Sequence, residues 1–302
     1  MTQASVRPIA HGDIKGETPE AWIDRLIRSV AEPVQDGLSL PGFPPAEVQR
    51  QFVGSAYELA LGEAANFYRF AQEHMATREY GDSAGARYLD FGCGWGRIGR
   101  FFLRDFEAGD MAGVDIDPEM VAFCKTADLP GHYAFIANGR PLPFASGGFK
   151  LITAYSVFTH LPPALFRFWL QELLRLLAPD GLLVFTVEPP RFLDFLDAAD
   201  PQSDNAWQAA LSAYKEEVPR LRRDLAQDGV AYLATGGGAY RESAVYGDTV
   251  VTPQFIAQQA AGRGEVVAYV DDADRFWQAV AVVRRTSGPV TRLLNRLRRR
   301  TA

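Results

Sequence analysis

Between Tyr88 and Gly96 the chain reads YLDFGCGWG, an apolar run that passes through a carboxylate and ends in three alternating glycines. Glycine at every second position cannot continue a helix. It does allow a strand to turn sharply, because Gly92, Gly94 and Gly96 tolerate backbone conformations that side chains disfavour. The residues that follow, RIGRFFLRDF, return to apolar spacing of helical period, so the stretch reads as strand, turn, helix. From Arg87 the same alternation continues. Strands are predicted near 87–91, 111–115, 132–137, 149–155 and 182–187, with helices near 97–107, 118–127 and 162–178. Such alternation implies a parallel sheet covered on both faces.

The flanking regions have a different texture. Residues 1–17 carry no periodic pattern and are expected to be disordered. Thr18 is placed to cap a helix whose first residue is Pro19, with Trp22, Ile23, Leu26 and Ile27 on one face. Ser55 and Glu58 have the spacing of a capping box ahead of a second, long helix. Residues 18–80 therefore form a predicted helical cap, and 81–285 the main domain. Within it, 188–246 is an insertion, with a helix around Trp207–Leu225 and a loop at Gly236-Gly237-Gly238. After Thr252-Pro253 comes another helix. The runs Glu265–Val270 and Gln278–Val283 then lie too close together for a helical crossover, so they pair antiparallel. Residues 286–302 form a basic tail with five arginines between Arg292 and Arg300.

An open parallel sheet binds ligands beyond the carboxyl ends of its strands. Asp115 ends the strand after the glycine turn, 19 residues beyond Gly96, where a carboxylate can accept both hydroxyl hydrogens of a ribose. A nucleoside-containing cofactor is implied. Gly94-x-Gly96-x-x-Gly99 also fits a dinucleotide site. Asp90 argues against that, because a carboxylate here repels a pyrophosphate and favours the ammonium and sulfonium of S-adenosylmethionine.

The chain resembles the class I S-adenosylmethionine-dependent methyltransferase family over about residues 40–285. The resemblance is carried by YLDFGCGWGRIGR, AGVDIDPEMVAFCK, NGRPLPFASGGFKLITAYSVFTHL and LLRLLAPDGLLVFTVEP, in the family's order and spacing. It implies a doubly wound, mostly parallel seven-stranded α/β sheet of Rossmann-like form with an antiparallel last strand, an N-terminal helical extension and an insertion after the fifth strand. It also implies that S-adenosyl-L-methionine is the cofactor. Asp90, Gly92, Cys93, Gly94 and Gly96 would line its methionine and ribose side, and Asp115 would hold the ribose. Ile116, Asn138 and Gly139 would meet the adenine; Asn138 stands where the family usually has aspartate. Tyr155 and Ser156 would approach the methionine portion.

Methyl transfer is chiefly a matter of orientation. A hydroxyl acceptor additionally needs a base, and His160, just after the fourth strand, is the best single candidate, although the position equally suits a structural histidine. The acceptor is expected between the N-terminal helices and the insertion, whose Arg191, Phe192, Trp207, Tyr214, Tyr232, Tyr240, Arg241 and Tyr246 suit a sugar or an anionic small molecule. LDFGCGWGRIGRF, YGDTVVTPQFI and WQAVAVVRR are similar to bacterial methyltransferases of surface-glycan and glycoconjugate assembly. O-methylation of a sugar, glycan or small molecule is therefore the leading expectation. N- or C-methylation, of a small molecule or a protein, and an inactive cofactor-binding module are the alternatives.

A net charge of −6 argues against a broad nucleic-acid-binding face. Two cysteines and four histidines without HExxH or clustered spacing point to no metal. Without a signal-peptide core or a membrane-length apolar run, the expectation is a cytoplasmic protein, at most touching a membrane through its arginine tail.

Overall fold

In the computed structural model, residues 6–76, 86–236 and 242–286 are described. Gly237, Gly238, Tyr240, Arg241 and the arginine tail lie outside them. Among the described residues no helix is long and apolar enough to cross a membrane.

The main sheet has seven strands: β1 (Tyr88–Phe91), β2 (Met111–Asp115), β3 (His132–Phe135), β4 (Phe149–Ala154), β5 (Leu177–Val187), β8 (Gly264–Val270) and β9 (Ala279–Arg285). A separate pair comprises β6 (Val230–Leu233) and β7 (Asp248–Val251). The order in the main sheet is β8-β9-β5-β4-β1-β2-β3. β1 is parallel to β2 and β4, and β2 to β3. β9 runs antiparallel to both β5 and β8. This is the doubly wound α/β order of strands, with the antiparallel end that the short 265–283 spacing foretold. β1 carries the glycine turn at the point where strand order reverses, the place where such sheets hold ligands.

By contact density the chain divides into two compact units, Met1–Arg140 with Gly148–Thr153, and Pro141–Gly147 with Ala154–Ala302. In the first unit the N-terminal helices and the first strands belong together. The side chain of Thr18 caps α1 (Pro19–Arg28) by accepting from Ala21 N–H, and the helix buries Trp22, Ile23 and Leu26. The Trp22 indole N–H donates to the carbonyl of Phe101 at 2.7 Å. α2 (Ala46–Val53) was not foreseen. α3 (Tyr57–Ala76) contributes Tyr68, which packs edge-on against Phe102, and Phe102 stacks on Tyr88 of β1.

Three local expectations are corrected. Residues 7–14, read as disordered, hold a two-residue strand and a short helical turn that buries Ile14, because Arg7 pairs with Leu38 and Asp13 caps the turn at Ala10 N–H. The Ser55–Glu58 capping box does not form: Tyr57 has φ 53° and gives its N–H to Gln49, while the Ser55 hydroxyl donates to Glu63. The helix expected over 97–107 is a 3₁₀ helix, Gly99–Arg104, tightened by bonds such as Phe101 N–H to Ile98 carbonyl.

In the second unit, β5 and β9 are buried on both faces from Leu182 to Val187 and from Ala279 to Val283, apolar but for Thr186, so they form its centre. α5 (Pro163–Leu176) packs its Phe166, Trp169, Leu170 and Leu173 inward. The 188–246 region makes a small core of its own from Phe192, Leu193 and Leu196 of α6 (Phe192–Asp197) with Leu211, Val218 and Leu221, and β6 and β7 lie alongside. The single helix expected over Trp207–Leu225 is broken into α7 (Ala206–Leu211), a 3₁₀ turn and α8 (Val218–Asp228), because Pro219 has no N–H to continue it.

Candidate functional site

The first unit concentrates most of the expected site residues at the carboxyl ends of β1, β2 and β3. Gly92, Gly94 and Gly96 all have positive φ, of 74°, 50° and 76°. At Gly96 a Cβ would stand 2.6 Å from a terminal methyl of Leu129, so a side chain there displaces Leu129 as well as straining the backbone. At Gly94 nothing lies within 4 Å of the position a Cβ would take, which leaves room for a ligand against the backbone. The Gly94 N–H donates to Asp115 Oδ2 at 2.7 Å, and the Asp117 N–H donates to Asp115 Oδ1 at 2.9 Å. Asp115 therefore ties the glycine turn to the end of β2. A carboxylate has about four acceptor sites, so it can hold these two N–H groups and still accept from vicinal hydroxyls. Asp117 caps α4 (Pro118–Thr126) by accepting from Glu119 and Met120 N–H.

Gly92, Gly94, Asp115, Ile116, Asn138 and Gly139 are all half-buried. They form a ledge along three adjacent strand ends, and Gly139, with φ 69°, turns the chain after β3. A nucleoside fits such a ledge: a carboxylate at one strand end, an amide at the next, and backbone without side chains between them. Cys93 is different. Its side chain is buried with Cys124, Val121, Leu129 and Tyr133, so only its backbone is left to meet a ligand.

Asp90 does not act as the sequence argument supposed. It is only 2% exposed. Oδ2 accepts from Gly99 N–H at 2.9 Å, and Oδ1 accepts from the Thr153 hydroxyl, which also meets the Tyr88 hydroxyl at 2.6 Å. Burial raises its carboxyl to about 7, against the lowering effect of those hydrogen bonds. Asp90 pins the turn from beneath, with both carboxyl oxygens bonded inside the fold.

One further group supports the turn and was missed. Arg100 is 1% exposed, and its guanidinium donates to the carbonyls of Gly96 (3.1 Å) and Gly42 (3.2 Å). It lies 4.4 Å from the Phe43 ring centroid and 5.1 Å from that of Trp95. No carboxylate among the described residues bonds to it, and burial lowers its pKa to about 10, still charged at neutral pH. The segment Leu40–Phe43 is thereby fastened to the glycine turn. Trp95 is itself buried in this packing.

Tyr155, Ser156 and His160 belong to the second unit. Tyr155 and Ser156 directly follow β4, half-buried. The His160 Nδ1–H donates to the carbonyl of Gly247 at 2.8 Å, and its ring stacks on Tyr246 at 4.3 Å. Asp248 Oδ1 lies 3.9 Å from the same nitrogen. Of the aromatic side chains that suggested a sugar, Phe192 and Tyr214 pack in or on the small core and Tyr246 covers His160. Trp207 is exposed.

A family model described as a methyltransferase domain matches residues 89–181. A malonyl-[acyl-carrier protein] O-methyltransferase of Enterobacter lignolyticus is 30% identical over 206 residues, covering 64% of this chain and 70% of that protein. A fatty-acid O-methyltransferase of Mycolicibacterium smegmatis is 27% identical over 136 residues, covering 44% of this chain; the chain spans about half, 49%, of that relative's length. Among solved structures, an S-adenosylmethionine-dependent methyltransferase from Clostridium acetobutylicum aligns over 74% of this chain and 92% of its own, at 13% identity and a TM-score of 0.49. With the glycine turn, the Asp115 tether and 30% identity over most of a named methyltransferase, the chain belongs to the class I S-adenosylmethionine-dependent methyltransferase family.

Proposed function

We propose that this protein transfers a methyl group to an oxygen atom of a small-molecule acceptor. S-Adenosylmethionine supplies that methyl on a cationic sulfur, already activated for in-line displacement. The observation that carries the reading is the Asp115 carboxylate bonded to Gly94 N–H beside open space, the arrangement a ribose and an attached thioether chain require. On this reading Asp115 binds the ribose, and Ile116, Asn138 and Gly139 bind the adenine. Gly92, Cys93, Gly94 and Gly96 offer backbone to the ribose and methionine portions, with Asp90 holding their turn in place, and Tyr155 and Ser156 face the methionine portion.

The acceptor oxygen is assigned to a carboxyl group. The named relatives are O-methyltransferases of a fatty acid and of malonyl-[acyl-carrier protein]. Of the aromatic side chains that suggested a glycan, Phe192, Tyr214 and Tyr246 are engaged in packing, while Trp207 is exposed. His160 is a base only if the acceptor is a hydroxyl, because a carboxylate has no proton to lose at neutral pH.

Calorimetry with S-adenosylhomocysteine, S-adenosylmethionine and NAD tests the cofactor: the first two bind and NAD does not, and tight NAD binding without the others would refute the reading. Methyl incorporation into fatty acids, fatty alcohols and oligosaccharides, followed by mass spectrometry, tests the acceptor. With a carboxylate acceptor, His160→Ala keeps its rate within about threefold; loss of two or more orders of magnitude, the scale of general-base catalysis, marks a hydroxyl acceptor instead.

A further inference from the structure

Two arginines that follow the glycine turn, Arg97 and Arg100, are both buried, and each holds a different stretch of the N-terminal region within the first compact unit. The Arg100 guanidinium donates to the carbonyl of Gly42 at 3.2 Å. The Arg97 guanidinium donates to the carbonyl of Ala60 at 3.3 Å and to Glu63 Oε2 at 3.0 Å. Residues 43–59 therefore form an arch whose two feet are bonded to the chain directly after Gly96. Beside the first foot, the same turn leaves open space against Gly94. There the Phe43 ring meets that of Trp95 edge-on at 6.3 Å, and Trp95 Nε1 is enclosed without a partner. An enclosed donor without an acceptor marks incomplete packing at this junction.

The span of the arch is held differently from its feet. Among the residues of α2 only Gln49 is buried. Its Nε2 donates to the carbonyl of Pro44 at 2.8 Å, ahead of the helix, and its Oε1 accepts from Tyr57 N–H at 2.8 Å, beyond it. One side chain thus ties both ends of α2. Val48, Phe52 and Val53 are only half-buried, and Leu59 is 75% exposed. A helix that buries so little apolar surface opens at low cost. Its exit is also strained. Gly54 has φ 76°, which suits glycine, but Tyr57 has φ 53°. An aromatic residue keeps left-handed backbone only where its surroundings impose it, and here the bond to Gln49 does so.

We propose that residues 44–59 are a strap that closes over a cofactor seated at the glycine turn, pivoting at Gly54 and Tyr57, with Gln49 as the pin that holds it until then. The proposal rests on the reading of the turn as the S-adenosylmethionine site. Fixed feet and a movable span divide the work: Arg97 and Arg100 keep the turn still, while the half-buried apolar side chains of α2 gain a surface in the bound state. Release of Tyr57 from left-handed backbone favours the closed arrangement. A bound cofactor then leaves only when the strap reopens, so closure is read chiefly in the dissociation rate.

The experiment is hydrogen exchange of the full chain with and without S-adenosylhomocysteine, whose binding is measured by calorimetry in the same samples. Amides of residues 46–57 are expected to slow about tenfold on binding, while those of α1 change by no more than about twofold. Tryptic cleavage after Arg50, exposed on α2, should slow in step. Gln49→Ala, which unties both ends of α2, should speed exchange over 46–57 about tenfold and leave α1 unchanged. Tyr57→Gly keeps the left-handed angle without strain, so S-adenosylhomocysteine is expected to leave it about fivefold faster and to associate within about twofold of wild type. Binding that protects α1 and 46–57 equally, as a general gain in stability does, overturns the strap, and so does binding that protects neither. Gln49→Ala without faster exchange, or Tyr57→Gly with an unchanged dissociation rate, overturns it too. If either variant does not fold, exchange and proteolysis of the wild type decide. Failure of S-adenosylhomocysteine to bind at all overturns the cofactor reading together with the strap, whereas binding without selective protection overturns the strap alone.

Discussion

At the residue scale two aspartates that look alike in sequence have opposite duties. Asp115 is half-exposed and bonded to backbone at the rim of the ledge, while Asp90 is buried under the turn. Asp115→Asn puts an amide N–H against either Gly94 or Asp117 N–H, and S-adenosylhomocysteine affinity is expected to fall about 10- to 100-fold by calorimetry, the worth of a charge-assisted bond. Asp90 gives a pH signature. Its folded value of about 7 lies above the ~3.9 of an unfolded aspartate, so the folded state keeps a proton that the unfolded chain loses. That contribution to stability is complete below about pH 4 and is lost as pH rises through about 7. Asp90→Asn removes this part of the slope; melts at several pH values in which both proteins decline equally would refute the assignment. Asp115 and the glycines were legible because their spacing lies along one stretch of chain. Burial of Asp90 was not, since Thr153 comes from another strand.

Among the elements, strands and caps were read most directly from sequence. Apolar runs in a buried parallel sheet announce a strand, although β5 starts at Leu177 and not near 182, and Thr18-Pro19 and Asp117-Pro118 state their role locally. Asp117→Ala should cost about 1 kcal/mol, seen as a lower urea midpoint with unchanged slope. The 3₁₀ turn after Gly99 was hidden because tertiary bonds, to Asp90 and Gly96, decide it. Arg100 shows the same dependence on distant partners. Replacing it with alanine strands the carbonyl of Gly42 and opens a cavity, so a loss of roughly 3 kcal/mol is expected, with weaker S-adenosylhomocysteine binding. Loss of stability with undiminished affinity would show that the Leu40–Phe43 segment does not hold the turn.

For the whole molecule, cofactor binding is expected to protect the folded state. At a hundredfold excess of S-adenosylhomocysteine over its Kd the gain is about 2.7 kcal/mol, read as a concentration-dependent rise in melting temperature. The mostly parallel seven-stranded sheet with its antiparallel last strand was legible as soon as the motifs were placed in sequence. The division into two compact units was not, because it runs through β4 at Thr153 and Ala154, where nothing in the local sequence changes.

The bond from Trp22 to Phe101 sets a limit on how this gene can be cut and recombined. The segment shared with the methyltransferase family model begins at residue 89, yet the carbonyl of Phe101, inside it, is satisfied by an indole far upstream. A fragment that starts at the recognisable motif would bare Phe101 and Phe102, losing the Tyr68 ring of α3 and the Trp22 hydrogen bond from α1. It should aggregate when expressed. Chimaeras with relatives should succeed only when residues 18–76 and the 3₁₀ turn are inherited from the same parent.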